Sequence, residues 1–204
     1  MPKQRYDPHP GIAMVRNWID TLKAKTGRDL DEWTSLIKSK GPKDTKSRRE
    51  WLKAEHKLGT NSAGWLVDHA EGKDDREESD PKVYVARAGD YVDALFSGSK
   101  AALRPLYDKL YDLARSIGDD IKISPGKTIV PVYRNHVIAQ INPSTRTRID
   151  FGLALKDTPA KGRLIDTGGF AKKDRITHRI EITSLDDIDD YVETWLRRAY
   201  ALDA

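Results

Sequence analysis

The chain has 204 residues, of which 38% are hydrophobic and 33% charged. That size suits either one well-cored domain or two small ones, since domains run roughly 100 to 150 residues. It contains no cysteine, which excludes disulfides, thiol nucleophiles and zinc sites built on thiolates. No apolar run approaches the roughly 18 to 20 residues needed to span a bilayer. The opening MPKQRYDPHP lacks the apolar stretch of a signal peptide, so a cytoplasmic protein without membrane association is expected.

The formal charge of +4 conceals a segregation. Residues 1–70 carry 14 Lys/Arg against 9 Asp/Glu, and residues 100–183 carry 16 against 9. Residues 71–99 carry 4 against 8, and residues 184–204 carry 2 against 6. Two basic blocks raise the local potential without making the whole chain polycationic, a pattern that attracts a phosphate backbone or an acidic partner.

Residues 10–70 read as three or four short helices. Ile12, Val15, Trp18, Ile19 and Leu22 recur at helical spacing and Gly27 closes the segment. Asp29 caps a second run with Leu30, Trp33, Leu36 and Ile37, stopped by Gly41 and Pro42. A third helix begins near Asp44 or Thr45 and turns Trp51, Leu52 and Ala54 inward. Thr60 or Asn61 caps a fourth, with Ala63, Leu66 and Val67 inside. Glu71 to Lys82, EGKDDREESDPK, has no apolar residue and is the expected linker.

Tyr84 to Phe96 is expected to hold a short extended piece and a turn or two of helix. Ser97-Gly98-Ser99 then leads into an amphipathic helix striped by Leu103, Leu106, Tyr107, Leu110, Leu113, Ala114 and Ile117. Pro105 fits if that helix starts beside it. From Asp120 the period becomes alternating: Ile121 and Ile123, Ile129–Tyr133, Val137–Ile141, Ile149–Leu155 and finally Ile176, Ile180 and Ile182 are strand-like. The separators Ser124-Pro125-Gly126, Arg134-Asn135 and Asn142-Pro143-Ser144 suit hairpins of an antiparallel meander. Between Lys156 and Arg175 runs a Gly- and Lys-rich excursion. Ser184 with Asp187 resembles a capping box ahead of a last helix carrying Ile188, Val192, Trp195, Leu196 and Ala199. The fold class expected is α+β: a helical module (1–70), a charged linker (71–82), and a mostly antiparallel sheet flanked by two helices (83–204).

Several segments resemble known families. Leu103-Arg-Pro-Leu-Tyr-Asp-Lys-Leu, Ser124-Pro-Gly-Lys-Thr, Arg148-Ile-Asp-Phe-Gly-Leu-Ala-Leu-Lys, Thr177-His-Arg-Ile and Trp195-Leu-Arg-Arg-Ala-Tyr look like domain-of-unknown-function family 5655. Trp51-Leu-Lys-Ala-Glu-His-Lys-Leu-Gly and the helix from Ala63 to Ala70 look like family 4287. The resemblance implies a two-module bacterial cytosolic protein and carries over no catalytic residue.

The basic residues Lys46, Arg48, Arg49 and Lys53 lie on the third helix, before the fragment Leu58-Gly-Thr-Asn-Ser-Ala-Gly, which is similar to a phosphate-contacting helix-hairpin-helix turn. An ordinary helix C-cap followed by an N-cap accounts for the same fragment. Lys127, Arg134, Arg146, Arg148, Arg163 and Arg179 fall on or beside strands, where alternation can collect several on one face. Tyr133 and Phe151 are the only aromatics near them, so a single-strand reader built on stacking has little support.

The weak catalytic candidates are His178, with His136 and Asp150 as neighbours across strands, since a His with a carboxylate can act as a general base. A satisfied structural histidine is the competing reading. Histidines at 9, 56, 69, 136 and 178 lack metal-ligand spacing, and no Gly-rich phosphate loop or Gly-x-Ser-x-Gly elbow occurs. No metal and no cofactor is expected. The expected function is a non-enzymatic binding or accessory protein, with nucleic acid as the first ligand class. The alternative is a small anionic ligand bound by the sheet module, with the helical module as a protein-interaction piece. A hydrolytic enzyme ranks third.

Overall fold

The computed structural model describes residues 5–73 and 80–204. The chain divides into two compact units, one spanning His9–Tyr84 and the other combining residues up to Pro8 with Val85–Ala204.

The first unit is helical: α1 (Pro10–Thr26), α2 (Leu30–Lys40), α3 (Thr45–His56) and α4 (Thr60–Ala70). Local chemistry sets each boundary. Gly27 takes the left-handed conformation, φ 78°, at the end of α1. Asp29 and Glu32 form a reciprocal capping box on α2, and Asp44 caps α3 by accepting from the Ser47 amide at 2.9 Å. The residue ahead of α4 is Gly59, with no side-chain cap, so neither Thr60 nor Asn61 plays the expected part. Leu22, Trp33, Ile37, Leu52, Leu66 and Val67 are buried together, and Trp18 and Trp51 pack against them partly exposed. Each fully buried aliphatic or aromatic side chain contributes about 1.5–3 kcal/mol.

Glu71 clasps α3 to the end of α4. It accepts from Thr45 Oγ1 at 2.8 Å, the Arg48 guanidinium at 2.9 Å and Lys73 Nζ at 2.6 Å. These partners, Lys73 first, hold its carboxyl down from the ordinary 4.5 to about 2, against the opposing effect of burial. Of the expected linker, residues 74–79 lie outside the described residues.

Beyond it, α5 (Pro81–Leu95) corrects the expected extended piece. Tyr84, Ala88, Val92 and Phe96 are buried at four-residue spacing, and Asp80 accepts from the Lys82 amide at 2.7 Å. Val83, Tyr84, Val85 and Tyr91 are residue types of high strand propensity, and helical packing overrides it. The N-terminal boundary at residue 1 also shifts. The Asp7 amide donates to Ile123 O at 2.9 Å, the Ile123 amide returns a bond to the Asp7 carboxylate at 2.8 Å, and Tyr6 is buried in the sheet unit.

The second unit is α+β, an antiparallel sheet flanked by helices. A short 3-10 segment, Gly98–Leu103, leads into α6 (Arg104–Ser116), with Pro105 in its first turn as expected and Leu106, Tyr107, Leu110 and Ala114 buried. The strands are β1 (Lys122–Ile123), β2 (Val130–Tyr133), β3 (Val137–Asn142), β4 (Ile149–Leu153), β5 (Ile165–Asp166) and β6 (His178–Ile182). They form one sheet in the order β1-β2-β3-β4-β6-β5, every neighbouring pair antiparallel. Register pairs Ile141 with Phe151 and Phe151 with Ile180 on the apolar face. Asn142, Asp150 and Glu181 fall in line on the opposite face.

The final helix, α7 (Asp190–Ala201), packs on β3 and β4 through a face that buries Val192, Leu196 and Ala199. Ser184 and Asp187 do form a reciprocal capping box, but on a 3-10 turn, Leu185–Asp187; Asp189 caps α7. No helix among the described residues is long and apolar enough to cross a membrane.

Candidate functional site

Most basic residues singled out in the sequence are occupied by carboxylates. On α3, Arg48 pairs with Glu71 at 2.9 Å, Arg49 with Asp68 at 2.7 Å and Lys53 with Glu50 at 2.9 Å, while Lys46 is exposed. In the sheet unit, Arg134 pairs with Asp120 at 2.9 Å and lies over the Tyr200 ring, and Arg163 holds Asp189 at 2.5 Å. Arg146 and Lys127 are exposed in turns. Of the six on or beside strands, Arg148 and Arg179 meet. Both contact Asp150, at 2.9 and 3.2 Å, and both contact Glu181, at 3.0 and 3.1 Å. Two cations and two anions make that cluster neutral.

The catalytic candidates are not brought together. His178 is 1% exposed, pairs with Leu153 in register, and shares a hydrogen bond of 2.8 Å between Nδ1 and Thr177 Oγ1. Its Nε2 is buried with no hydrogen-bond partner. Asp150 pairs with Glu181, three residues along β6, and therefore lies on the opposite face. His136 sits between β2 and β3 and engages Asp203. The expected His–Asp neighbourhood is thus corrected: strand alternation separates its members. Among the described residues no group of three or more His, Cys, Asp or Glu side chains is arranged to hold a metal.

The arrangement that sequence reasoning missed lies in the Lys156–Arg175 excursion. A cleft of about 540 Å³ is lined by Ala154, Lys156, Phe170, Ala171, Lys173, Asp174, Arg175, Thr177 and Leu202, a size in the range of small-molecule sites, roughly 300–1,000 Å³. Its outer wall is a folded turn. The Lys172 and Asp174 amides donate to Gly169 O at 3.0 and 2.9 Å, and the Lys173 amide donates to Phe170 O at 3.0 Å. Gly169 is required there, because a Cβ would lie 2.5 Å from Ile176 O. The base of the excursion is tied to the sheet by β5, by Arg163, and by the Leu164 amide donating to the Tyr191 hydroxyl at 3.1 Å.

Three cations face this cleft. Lys156 and Lys173 hold left-handed backbone conformations, φ 56° and 61°, although neither is Gly or Asn. Each such residue costs about 1 kcal/mol, a strain that concentrates at ligand clamps. Among the described residues neither ammonium is paired with a carboxylate, and neither is Asp174 with a cation. Arg175 is oriented: its Nε donates to Val137 O at 2.8 Å and its terminal nitrogen bonds the Asp203 carboxylate.

Asp203 is the anchor. Its side chain is 4% exposed, and it also accepts from the Asn135 and His136 amides at 2.9 and 2.8 Å and from His136 Nδ1 at 3.0 Å. Burial pushes this carboxyl up, but the bonds from His136 and the Arg175 guanidinium outweigh it and hold it below the usual carboxylate range.

Comparison with known proteins is consistent with the architecture. Residues 92–203 match the domain of unknown function DUF5655, and residues 14–72 match the domain of unknown function DUF4287. No curated protein and no solved structure matches the chain. The chain belongs to the DUF5655 family, with a DUF4287 module ahead of the sheet unit.

Proposed function

We propose that this is a cytoplasmic, non-enzymatic binding protein whose sheet unit takes up a small anionic ligand in the cleft of Lys156, Lys173 and Arg175. The observation that carries the reading is the pair of unpaired lysines in strained backbone lining the same cleft as an oriented arginine. Elsewhere in the described residues the cations singled out by the sequence mostly neutralise nearby carboxylates. Lys156 and Lys173, without carboxylate partners among the described residues, line one concave surface together with Arg175, which is held by Asp203. A phosphate-tracking role on nucleic acid has weaker support, since Arg48, Arg49 and Lys53 in the helical unit and Arg134, Arg148, Arg163 and Arg179 in the sheet unit are each paired with carboxylates, and a backbone tracker needs cations free to meet phosphates.

Anion capture needs fixed donors and a low cost of ordering. Arg175 supplies a pre-oriented guanidinium, and Lys156 and Lys173 supply charge-assisted donors from turns, that of Lys173 closed by its amide bond to Phe170 O. The test is thermal unfolding of the whole protein with millimolar inorganic phosphate against chloride of matched ionic strength. Saturable stabilisation by phosphate, abolished in the Lys156→Ala/Lys173→Ala variant, is expected. An identical response in wild type and variant, or none beyond matched chloride, rejects the reading.

A further inference from the structure

The cleft contains more than charge. Phe170 is 54% exposed at its rim and makes no ring contact with another aromatic among the described residues. Its backbone is held by the bonded turn from Gly169 to Asp174, whose Lys173 amide donates to Phe170 O at 3.0 Å. Beside it the wall is apolar: Ala154, Ala171 and Leu202 line the same cleft. A fixed aromatic face costs little to order when a second ring lies on it.

We infer that the ligand is a small anion carrying a planar aromatic ring, stacked on Phe170 with its anionic group between Lys156, Lys173 and Arg175; nucleoside monophosphates belong to this class. The inference rests on the anion reading above and specifies its ligand. A simple inorganic anion would leave Phe170 and the apolar wall unused. A nucleic-acid strand would need successive stacking platforms, and Phe170 is the one exposed aromatic lining this cleft. Asp174, which carries a negative charge into the same wall, disfavours a ligand with a chain of anionic groups.

The experiment is isothermal titration of the whole protein with inorganic phosphate, phenyl phosphate and adenosine monophosphate, in wild type and Phe170→Ala. Phe170 is largely exposed, so its removal leaves the fold intact. Both ring-bearing phosphates are expected to bind about tenfold or more tightly than inorganic phosphate, and Phe170→Ala to erase that gain while leaving inorganic phosphate unchanged. A further gain for adenosine monophosphate over phenyl phosphate assigns a nucleoside. Equal affinities for all three in wild type, or a ring-dependent gain that survives Phe170→Ala, overturn this inference and leave anion binding standing. If none of the three binds, anion recognition itself fails and the ring inference falls with it.

Discussion

The Asp203 carboxylate, almost fully buried after α7, holds the guanidinium of Arg175, a residue that lines the cleft. The same carboxylate collects two backbone amides and the His136 ring. Asp203→Asn keeps the shape and removes the charge. The variant should lose about 1.5–3 kcal/mol, the usual worth of hydrogen bonds to a charged group, and its phosphate affinity should fall several-fold as Arg175 loosens. Chemical denaturation with parallel titrations separates the two effects. Because the folded carboxyl lies below its usual range, its contribution is complete above the unfolded value and fades as pH falls through the folded one. Wild type should therefore lose stability below about pH 3.9 more steeply than the variant.

The helical unit has its own acid-sensitive clasp. Glu71, held at about 2, contributes stability that is full above its ordinary value of 4.5 and disappears as pH drops toward 2. Glu71→Gln should cost about 1–2 kcal/mol at pH 7 and flatten the pH dependence between those limits. Tryptophan emission follows mainly this unit, which holds Trp18, Trp33, Trp51 and Trp65, once Trp195 of α7 is replaced by Phe. A variant with unaltered stability at pH 7 would show that the clasp is not needed.

Gly169 tests the built nature of the excursion. Gly169→Ala puts a Cβ 2.5 Å from Ile176 O, where backbone must move. Overpacking of this kind costs about 1–3 kcal/mol. The neighbouring Gly168 has open space but φ +69°, so Gly168→Ala meets only the left-handed penalty of about 1 kcal/mol. Thermal unfolding should rank Gly169→Ala below Gly168→Ala, and phosphate binding should follow the same order.

His178 is predicted to be dispensable. Its Nε2 is buried without a partner, and Thr177 Oγ1 keeps its bond from the Leu155 amide at 3.1 Å when the imidazole is gone. His178→Leu should change stability by less than about 1 kcal/mol, since an unmet polar atom is replaced by apolar volume. Anion titration of the same variant should match wild type; lost binding would show that His178 supports the cleft.

Much of the fold was legible because its signals are local. Asp29 announced a helix start, the Leu106–Leu110–Ala114 stripe announced α6, and alternation from Ile121 to Ile182 announced the sheet. The cleft was not legible, because its parts meet only in three dimensions. Asp203 reaches Arg175 across 28 residues and His136 across 67. Lysine also has no preference for left-handed backbone, so nothing in the sequence marked Lys156 or Lys173 as strained. The one available signal was the excursion from Lys156 to Arg175, longer than structural loops usually run. Strand parity likewise could not be read far enough to see that Asp150 and His178 face opposite ways.

The most direct test of the anion site is a phosphate titration of the isotopically labelled whole protein, followed by backbone amide shifts. Saturable shifts confined to residues 154–156 and 170–177, absent in Lys156→Ala/Lys173→Ala, are the expected result. Shifts centred on Lys46, Arg48 and Arg49, or scattered in proportion to ionic strength, would contradict it.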